Sequence, residues 1–196
     1  GFWDAEYQIH VHNNGDLGAE ELIGSLERAM KRKPRTDHRT VWIHFGFATP
    51  EQVKRWTELG GIVSSNPYYV TALAGRYSKL GIGPERSANI APHGDVIANG
   101  NRHLSFHSDM PMAPAGPMQL VWAGVNRFTA EGPVAGPRHR VDIDTAMRAI
   151  TIEAAYSIQM EHRIGSIAPG KDANLTILEA SPWATAPEKL KDIKVW

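Results

Sequence analysis

The sequence of 196 residues predicts an α/β fold in which the strands of a parallel sheet alternate with helices, as they do in β/α barrels. Short strand-like segments are separated by segments whose apolar residues recur at helical spacing. In three of the strand-like segments, polar side chains occupy one face and apolar side chains the other. Each polar face carries a potential metal ligand near the carboxyl end of its segment, where β/α barrels place their sites.

The three amphipathic segments are residues 7–12, 41–45 and 103–109. Their polar faces are predicted to consist of Gln8, His10 and His12 in the first, Trp42 and His44 in the second, and His103, Ser105, His107 and Asp109 in the third. The apolar residues between them, such as Ile43, are predicted to face covering helices. A fourth strand is predicted over residues 61–65.

The helices between these strands are predicted from spacing and capping. Apolar residues from Ala19 to Met30 recur at helical spacing, and Pro34 ends that helix. The second helix begins with Thr49 as N-cap, and Gln52 is placed for a capping box. The rest of the chain predicts a loop with a short helix over 71–90, helices over 92–98, 117–128 and 143–155, and strands over 174–178 and from 194.

Composition excludes several classes of function. Lys and Arg together number 21, and so do Asp and Glu, so no basic surface for nucleic acid or anionic membrane is predicted. The chain has no cysteine, which excludes disulfides and thiolate metal sites. It has no apolar run long enough for a membrane span. It begins at Gly1 without an initiator Met, and we interpret it as a fragment of a cytoplasmic protein.

The candidate site lies where the predicted strands end. Carboxyl ends of parallel strands meet at one edge of a sheet, so His12, His44 and Asp109 are predicted to converge there. Buried polar groups without partners cost roughly 1 to 3 kcal/mol each, and a divalent ion would satisfy several at once. His10 shares a face with His12 and is an alternative ligand or a supporting partner. Imidazole and carboxylate donors suit zinc, iron, nickel or manganese.

Four motifs in order resemble those of the amidohydrolase superfamily, specifically its YtcJ-like branch, amidohydrolase family 3. Residues 10–16 (HVHNNGD) resemble that branch's HxHAIGD element, and residues 41–45 resemble its next strand, which ends in a metal-binding His. Residues 108–111 (SDMP) are similar to its SDFP element. Residues 165–175 resemble the turn-rich GSIExGKxADL element that returns the chain to a small β-sandwich.

The resemblance implies a fold and a chemistry. Residues 1–160 would be the second half of a metal-dependent-hydrolase TIM-type (β/α)8 barrel, and residues 161–196 would return to the β-sandwich. His12 and His44 match metal ligands, with zinc as the expected ion. Asp109 matches a carboxylate that both binds metal and transfers protons during hydrolysis of carbon–nitrogen bonds in a small-molecule substrate. Asn66 and Tyr68, just after the fourth predicted strand, are expected to contact substrate or simply to form the turn around Pro67.

The chain also departs from the family pattern. The first-strand HxH pair and the side chain that often bridges two metals are missing, so the fragment alone is expected to be inactive. Asn13 and Asn14 replace the usual Ala and Ile. A second interpretation is therefore a non-catalytic or regulatory relative. Four parallel strands cannot close a barrel, so exposed strand edges predict a homo-oligomer.

Overall fold

A computed structural model describes residues 1–196 as four short parallel strands with helices between them. The strands are β1 (His10–Asn13), β2 (Val41–His44), β3 (Ile62–Ser65) and β4 (Leu104–Phe106). They form one sheet in the order β1-β2-β3-β4, and every neighbouring pair is parallel. The predicted α/β class with a parallel sheet is therefore confirmed.

Eight α-helices connect or follow the strands. They are α1 (Asp16–Arg32), α2 (Pro50–Glu58), α3 (Gly75–Leu80), α4 (Pro84–Ala88), α5 (His93–Ala98), α6 (Pro117–Asn126), α7 (Ile143–Ala149) and α8 (Ile152–Ser157). A π-helical turn, Val70–Ala74, precedes α3. Three short 3₁₀ segments complete the chain: Pro137–His139, Pro182–Ala184 and Pro187–Asp192. None of these helices is long and apolar enough to cross a membrane.

The start of α2 follows the predicted capping chemistry. The Thr49 side chain accepts a hydrogen bond from the Gln52 backbone N–H, and the Gln52 side chain accepts one from the Thr49 N–H. The amide of Gln52 also donates to the Asp16 carbonyl at 2.9 Å. Since Asp16 opens α1, the box joins the amino ends of two neighbouring helices.

One face of the sheet packs against helices. Its residues, taken across the strands in register, are Val11, Trp42, Val63 and Leu104. Trp42 is fully buried against Trp56 of α2, with ring centroids 5.6 Å apart. The opposite face carries His12, Ile43, Ser64 and Ser105 in the same register.

This register corrects the predicted facing of β2. Trp42 was expected on the polar face and Ile43 under the helices, and the structure places them the other way round. His44, one step further along, would share the helix face with Trp42 if the pleat continued. Instead its φ is +74°, and its ring reaches His12 from the opposite face. Although Trp42 and Ile43 face opposite to the prediction, the backbone conformation of His44 alone still brings its ring to His12.

Two predicted elements outside the strands are also corrected. The helix over 143–155 is broken into α7 and α8 at Thr151, whose φ and ψ are −125° and −97°. Gly165 packs against this break, where a Cβ would lie 2.9 Å from the Ile152 Cα. The loop predicted over 71–90 contains two helices and the end of a π-helical turn.

The carboxyl-terminal tail is less regular than predicted. Residues 174–178 do not form a strand, and Leu178 makes one isolated antiparallel bridge with Val195. The apolar side chains of this segment are largely exposed, so no packing holds a longer ladder. The following 3₁₀ segment instead docks on α6, where Leu190 is buried and Trp122 Nε1 donates to the Glu188 carbonyl at 3.0 Å.

Candidate functional site

Three histidines and one aspartate gather where the strands end, and we call His12, His44, His107 and Asp109 the sheet-end cluster. The rings of His12 and His44 meet edge to face, with centroids 4.5 Å apart. His12 is exposed, whereas His44 is 7% exposed. Burial, opposed by the Asp109 carboxylate, lowers the pKa of His44 below its ordinary value. A neutral imidazole, the form that binds metals, is thus favoured at neutral pH.

His107 joins the cluster from the segment after β4. Its Nε2 lies 2.9 Å from His44 Nδ1, and its Nδ1 lies 3.0 Å from Ser64 Oγ. Burial, reinforced by the neighbouring His44, lowers the pKa of His107 to about 4. The ring is therefore neutral at pH 7, and both of its nitrogens are engaged.

Asp109 approaches the same nitrogen of His44 that His107 contacts. Its Oδ2 lies 3.8 Å from His44 Nδ1, which is beyond hydrogen-bond distance. The aspartate is partly exposed and has a φ of +53°, a left-handed conformation that costs energy in most non-glycine residues. His44 and Phe45 have positive φ as well. Such outliers concentrate at functional sites, because the surrounding structure holds side chains in unusual directions.

A buried layer supports the end of the sheet from behind. Ser65 Oγ donates to the His44 carbonyl at 3.3 Å and lies 2.8 Å from His93 Nε2. After β2, Gly46 comes so close to the loop after β1 that a Cβ would lie 2.7 Å from the Asn14 carbonyl oxygen. The Gly46 carbonyl in turn accepts from the Ala91 N–H at 2.8 Å. These contacts fix the backbone that carries His44.

A second group of basic residues lies in this buried layer, and we call His93, Arg127 and His139 the Arg127 cluster. All three residues are fully buried. The Arg127 guanidinium donates to the carbonyls of Ala88, Ile90, Ala91 and Ala135 at 2.7 to 3.4 Å. Burial lowers the pKa of Arg127 to about 9 and that of His139, which also lies near Arg127, to about 3.

The remaining predicted residues occupy different surroundings. Asn66 is fully buried, and its amide donates to the Ser108 carbonyl at 3.1 Å and accepts from the Tyr68 N–H at 3.0 Å. Its hydrogen-bonding groups are therefore used within the chain, as the turn interpretation requires. Tyr68 is partly buried, and its contact with substrate stays a prediction. His10 is the first residue of β1 and lies two residues before His12. Of these two histidines, His12 is the one whose ring contacts His44.

His107 was not among the residues predicted for the site. Its signal was present in the sequence, since strict alternation from His103 places His107 on the same face as Asp109. Ser64 was missed because its strand, β3, is apolar at its start and shows no alternation. Tyr69, whose ring lies 6.0 Å from that of His44, directly precedes the π-helical turn and was not predicted for the site.

The metal ligation expected of His12, His44 and Asp109 stays a prediction. No three His, Asp or Glu side chains surround a common point at ligand distances. The donors themselves fit a divalent ion: His12 makes no hydrogen bond, His44 Nε2 has no partner, and Asp109 contributes a carboxylate. These residues thus match a nitrogen and oxygen ligand set, which suits zinc among other ions.

Comparison with known protein families decides the relationship. The model of a family described as "Amidohydrolase family" matches residues 4–196. The chain belongs to the amidohydrolase family. The match covers the sheet, the sheet-end cluster and the tail, and a relative named putative amidohydrolase YtcJ from Bacillus subtilis is 24% identical over 196 residues. The resemblance to amidohydrolase family 3 is therefore confirmed.

Two further relatives show the range of this family. Protein LONG AFTER FAR-RED 3 of Arabidopsis thaliana is 27% identical over 177 residues, which are 90% of this chain and 30% of that protein. N-substituted formamide deformylase of Arthrobacter pascens is 26% identical over 187 residues, 95% of this chain and 34% of that enzyme. The chain thus spans about a third of the length of the curated relatives it matches.

Solved structures agree on the fold. A metal-dependent hydrolase of Pyrococcus horikoshii superposes with a TM-score of 0.72 at 22% identity, over 92% of this chain and 35% of that one. An adenosine deaminase of Xanthomonas campestris with bound zinc superposes with a TM-score of 0.66 at 19% identity, over all of this chain and 45% of that one. The α/β fold of this chain is therefore that of metal-dependent hydrolases.

Proposed function

We propose that the full-length protein is a metal-dependent hydrolase that cleaves carbon–nitrogen bonds of amides or cyclic amides in small molecules. The observation that carries this proposal is the sheet-end cluster, which brings His12 to His44 and Asp109 to within 3.8 Å of His44. The name of the Arthrobacter pascens relative, N-substituted formamide deformylase, supports a carbon–nitrogen bond as the target. Nucleic acid and membranes are not proposed as partners.

In this proposal, the chain supplies the second half of a TIM-type (β/α)8 barrel, residues 1–160, and a segment of a small β-sandwich, residues 161–196. Four parallel strands are half of what a filled barrel needs. The antiparallel pairing of Leu178 with Val195 fits the edge of a sandwich. The fragment alone is proposed to be inactive, because the remaining metal ligands of the family lie outside it.

The residues of the cluster have separate roles in the proposed reaction. His12, His44 and Asp109 would hold a divalent ion, with zinc as the expected metal, and such an ion lowers the pKa of bound water and polarises a carbonyl group. Asp109 takes the proton of the attacking water and passes it to the leaving nitrogen. Its exposed side chain leaves room for that exchange. Asn66 holds the turn before Tyr68, and Tyr68 would contact substrate.

Zinc titration of the isolated chain tests the ligand assignment. With two imidazoles and one carboxylate, we expect weak binding, in the micromolar range or weaker, far below closed four-ligand sites. The variant His12→Leu should abolish this binding, and the matched control His162→Leu, at an exposed histidine, should not change it. Calorimetry that showed nanomolar binding, or equal binding by His12→Leu, would contradict this ligand set.

Activity of the full-length protein tests the function itself. We expect hydrolysis of N-acyl or cyclic amide substrates that disappears when a chelator removes the metal and returns when zinc is added. Hydrolysis that survives complete metal removal would exclude the proposed chemistry. A panel of such substrates that shows no turnover would favour the second candidate, a non-catalytic relative.

That second candidate rests on the unpaired edges of the sheet. β1 and β4 each have one hydrogen-bonded neighbour, so each has one edge without a strand partner. We propose that the isolated chain forms a homo-oligomer through these edges. Light scattering should show a dimer or larger species at high micromolar concentration. A folded monomer under those conditions would mean that the edges are covered within the chain.

A further inference from the structure

The hydrogen bond between His44 and His107 can form with the proton on either ring. Two imidazole nitrogens 2.9 Å apart share a hydrogen bond only if one carries a proton and the other does not. His107 Nδ1 also contacts Ser64 Oγ at 3.0 Å, and a hydroxyl can donate or accept. Two consistent arrangements follow, which differ in the nitrogen of His44 that bears the hydrogen.

In the first arrangement, Ser64 donates to His107 Nδ1, and His107 Nε2–H donates to His44 Nδ1. Neutral His44 would then carry its hydrogen on Nε2, and neither of its nitrogens would keep a free lone pair with which to bind a metal. In the second arrangement, His107 Nδ1–H donates to Ser64, and His44 Nδ1–H donates to His107 Nε2. His44 Nε2 then has a free lone pair.

The Asp109 carboxylate favours the second arrangement. Its Oδ2 lies 3.8 Å from His44 Nδ1, too far for a hydrogen bond and close enough for a strong electrostatic effect. A hydrogen on Nδ1 places positive charge toward that carboxylate, whereas a lone pair there would face it. His107, at 2.9 Å, is therefore the acceptor, and Asp109 biases the proton toward the contact.

We propose that His107 is a positioning residue that accepts the Nδ1–H of His44, with Ser64 fixing the His107 ring, and so leaves His44 Nε2 free to bind the metal. This inference rests on the proposed function, since it assigns His44 to a metal. Metal-bound histidines generally donate their second ring N–H to a protein acceptor, which orients the ring. Here the acceptor is a histidine, supplied by the segment that also supplies Asp109.

The backbone explains why His44 needs such a partner. Its φ of +74° directs its ring away from the helix face, and a residue in this region is not held by the regular pleat of a strand. The Nε2 atom makes no hydrogen bond and is not fully buried, so it remains accessible at the end of the sheet. The contact with His107 is the only hydrogen bond that the His44 ring makes within the chain.

The tautomer of His44 can be measured directly. Long-range ¹H–¹⁵N correlation spectra of the labelled, metal-free chain should show His44 with its hydrogen on Nδ1. In His107→Leu the acceptor is lost, and we expect the Nε2–H tautomer, which free histidine prefers, to become the major form. His107→Gln places an amide oxygen that can accept and should preserve the Nδ1–H form. Ser64→Ala should give a mixture, and His162→Leu should have no effect.

Several outcomes would overturn the proposal. A wild-type chain with His44 in the Nε2–H form would contradict it, and so would an unchanged tautomer in His107→Leu. If circular dichroism shows that His107→Leu does not fold, the Ser64→Ala and His107→Gln spectra still decide between the two arrangements. A Gln variant that behaves like the Leu variant would mean that His107 acts by packing and not as an acceptor.

Zinc titration of the same variants separates this inference from the proposed function. His107→Leu should weaken zinc binding about 10- to 100-fold, the usual effect of losing a partner of a metal ligand, and His107→Gln should restore most of it. If the tautomer behaves as expected and no variant binds zinc, the metal function fails and the positioning role stands. If zinc binds equally to all variants, the positioning role fails and the metal function stands.

Discussion

Two groups of histidines lie at different depths near the same end of the sheet. In the sheet-end cluster, His12 is exposed and His44 keeps one ring nitrogen without a partner. In the Arg127 cluster, His93 and His139 are fully buried, and their ring nitrogens contact Ser65 of β3 and Asn89 respectively. We therefore expect the first group to serve the proposed site and the second to serve packing.

The difference teaches that burial distinguishes the two groups where residue type does not, because the unpaired Nδ1 atoms of His93 and His139 are enclosed within the chain. Both groups combine imidazoles with a charged side chain, Asp109 in one and Arg127 in the other. Asp109 is partly exposed and lies too far from His44 for a hydrogen bond. The Arg127 side chain, in contrast, donates hydrogen bonds to four backbone carbonyls. Changes in the first group should therefore affect activity, and changes in the second should affect stability.

The largest expected effect is on activity, from Asp109→Asn in the full-length protein. Asparagine keeps the size of the side chain and loses the proton acceptor, so hydrolysis should fall by roughly 10² to 10⁴. Steady-state kinetics would measure this, with the urea midpoint unchanged as evidence of an intact fold. A variant that retains more than half of the wild-type rate would show that Asp109 is not the base.

The next effect is on stability, from Arg127→Met. Methionine fills much of the volume and leaves buried carbonyls without donors, so the free energy of unfolding should fall by about 3 to 5 kcal/mol. His12→Leu in the sheet-end cluster should change it by less than about 0.5 kcal/mol, because His12 is exposed. Urea denaturation would compare the two. Equal losses would erase the distinction between the two clusters.

A smaller effect concerns pH and His139. Burial lowers the pKa of His139 to about 3, against an ordinary value of 6.5. Between these values the unfolded chain binds a proton that the native chain does not, so stability falls as pH drops from 6.5 toward 3 and is fully present above 6.5. His139→Gln can still donate to Asn89 Oδ1 and should remove up to one proton from this dependence.

Urea titrations at several pH values would test this, with His162→Gln as the exposed control. The control should keep the wild-type slope of stability against pH. A His139→Gln variant with the same slope as wild type would show that His139 is protonated in the native state at these pH values. That result would also remove the buried neutral imidazole from the account of the Arg127 cluster.

Local chemistry made much of this fold predictable from the sequence. Thr49 and Gln52 satisfy each other's backbone within four residues, so the start of α2 depends on nothing distant. The order of the strands and the main helices between them followed from the spacing of apolar residues and from capping and helix-breaking residues. The approach of Asp109 to His44 also followed, because parallel strands that are read in sequence order end at the same edge.

The parts that could not be predicted depend on tertiary contacts. The direction of His44 rests on a positive φ, which no alternation pattern records, and Trp42 was therefore assigned to the wrong face. The break at Thr151 depends on Gly165, fourteen positions later. The tail between 174 and 178 has the composition of a strand, yet its pairing is confined to one bridge.

The close approach of Gly46 to Asn14 fixes the distance between the loops that follow β1 and β2. At this point two backbones touch where any side chain would force them apart, since a single methyl group would overlap the Asn14 carbonyl. The gap between the loops after β1 and β2 is thus already at its minimum, and changes in loop side chains cannot narrow it. If the protein is the hydrolase proposed above, room for substrates of different size would come from the β3 and β4 side, where Tyr69 and Asp109 lie.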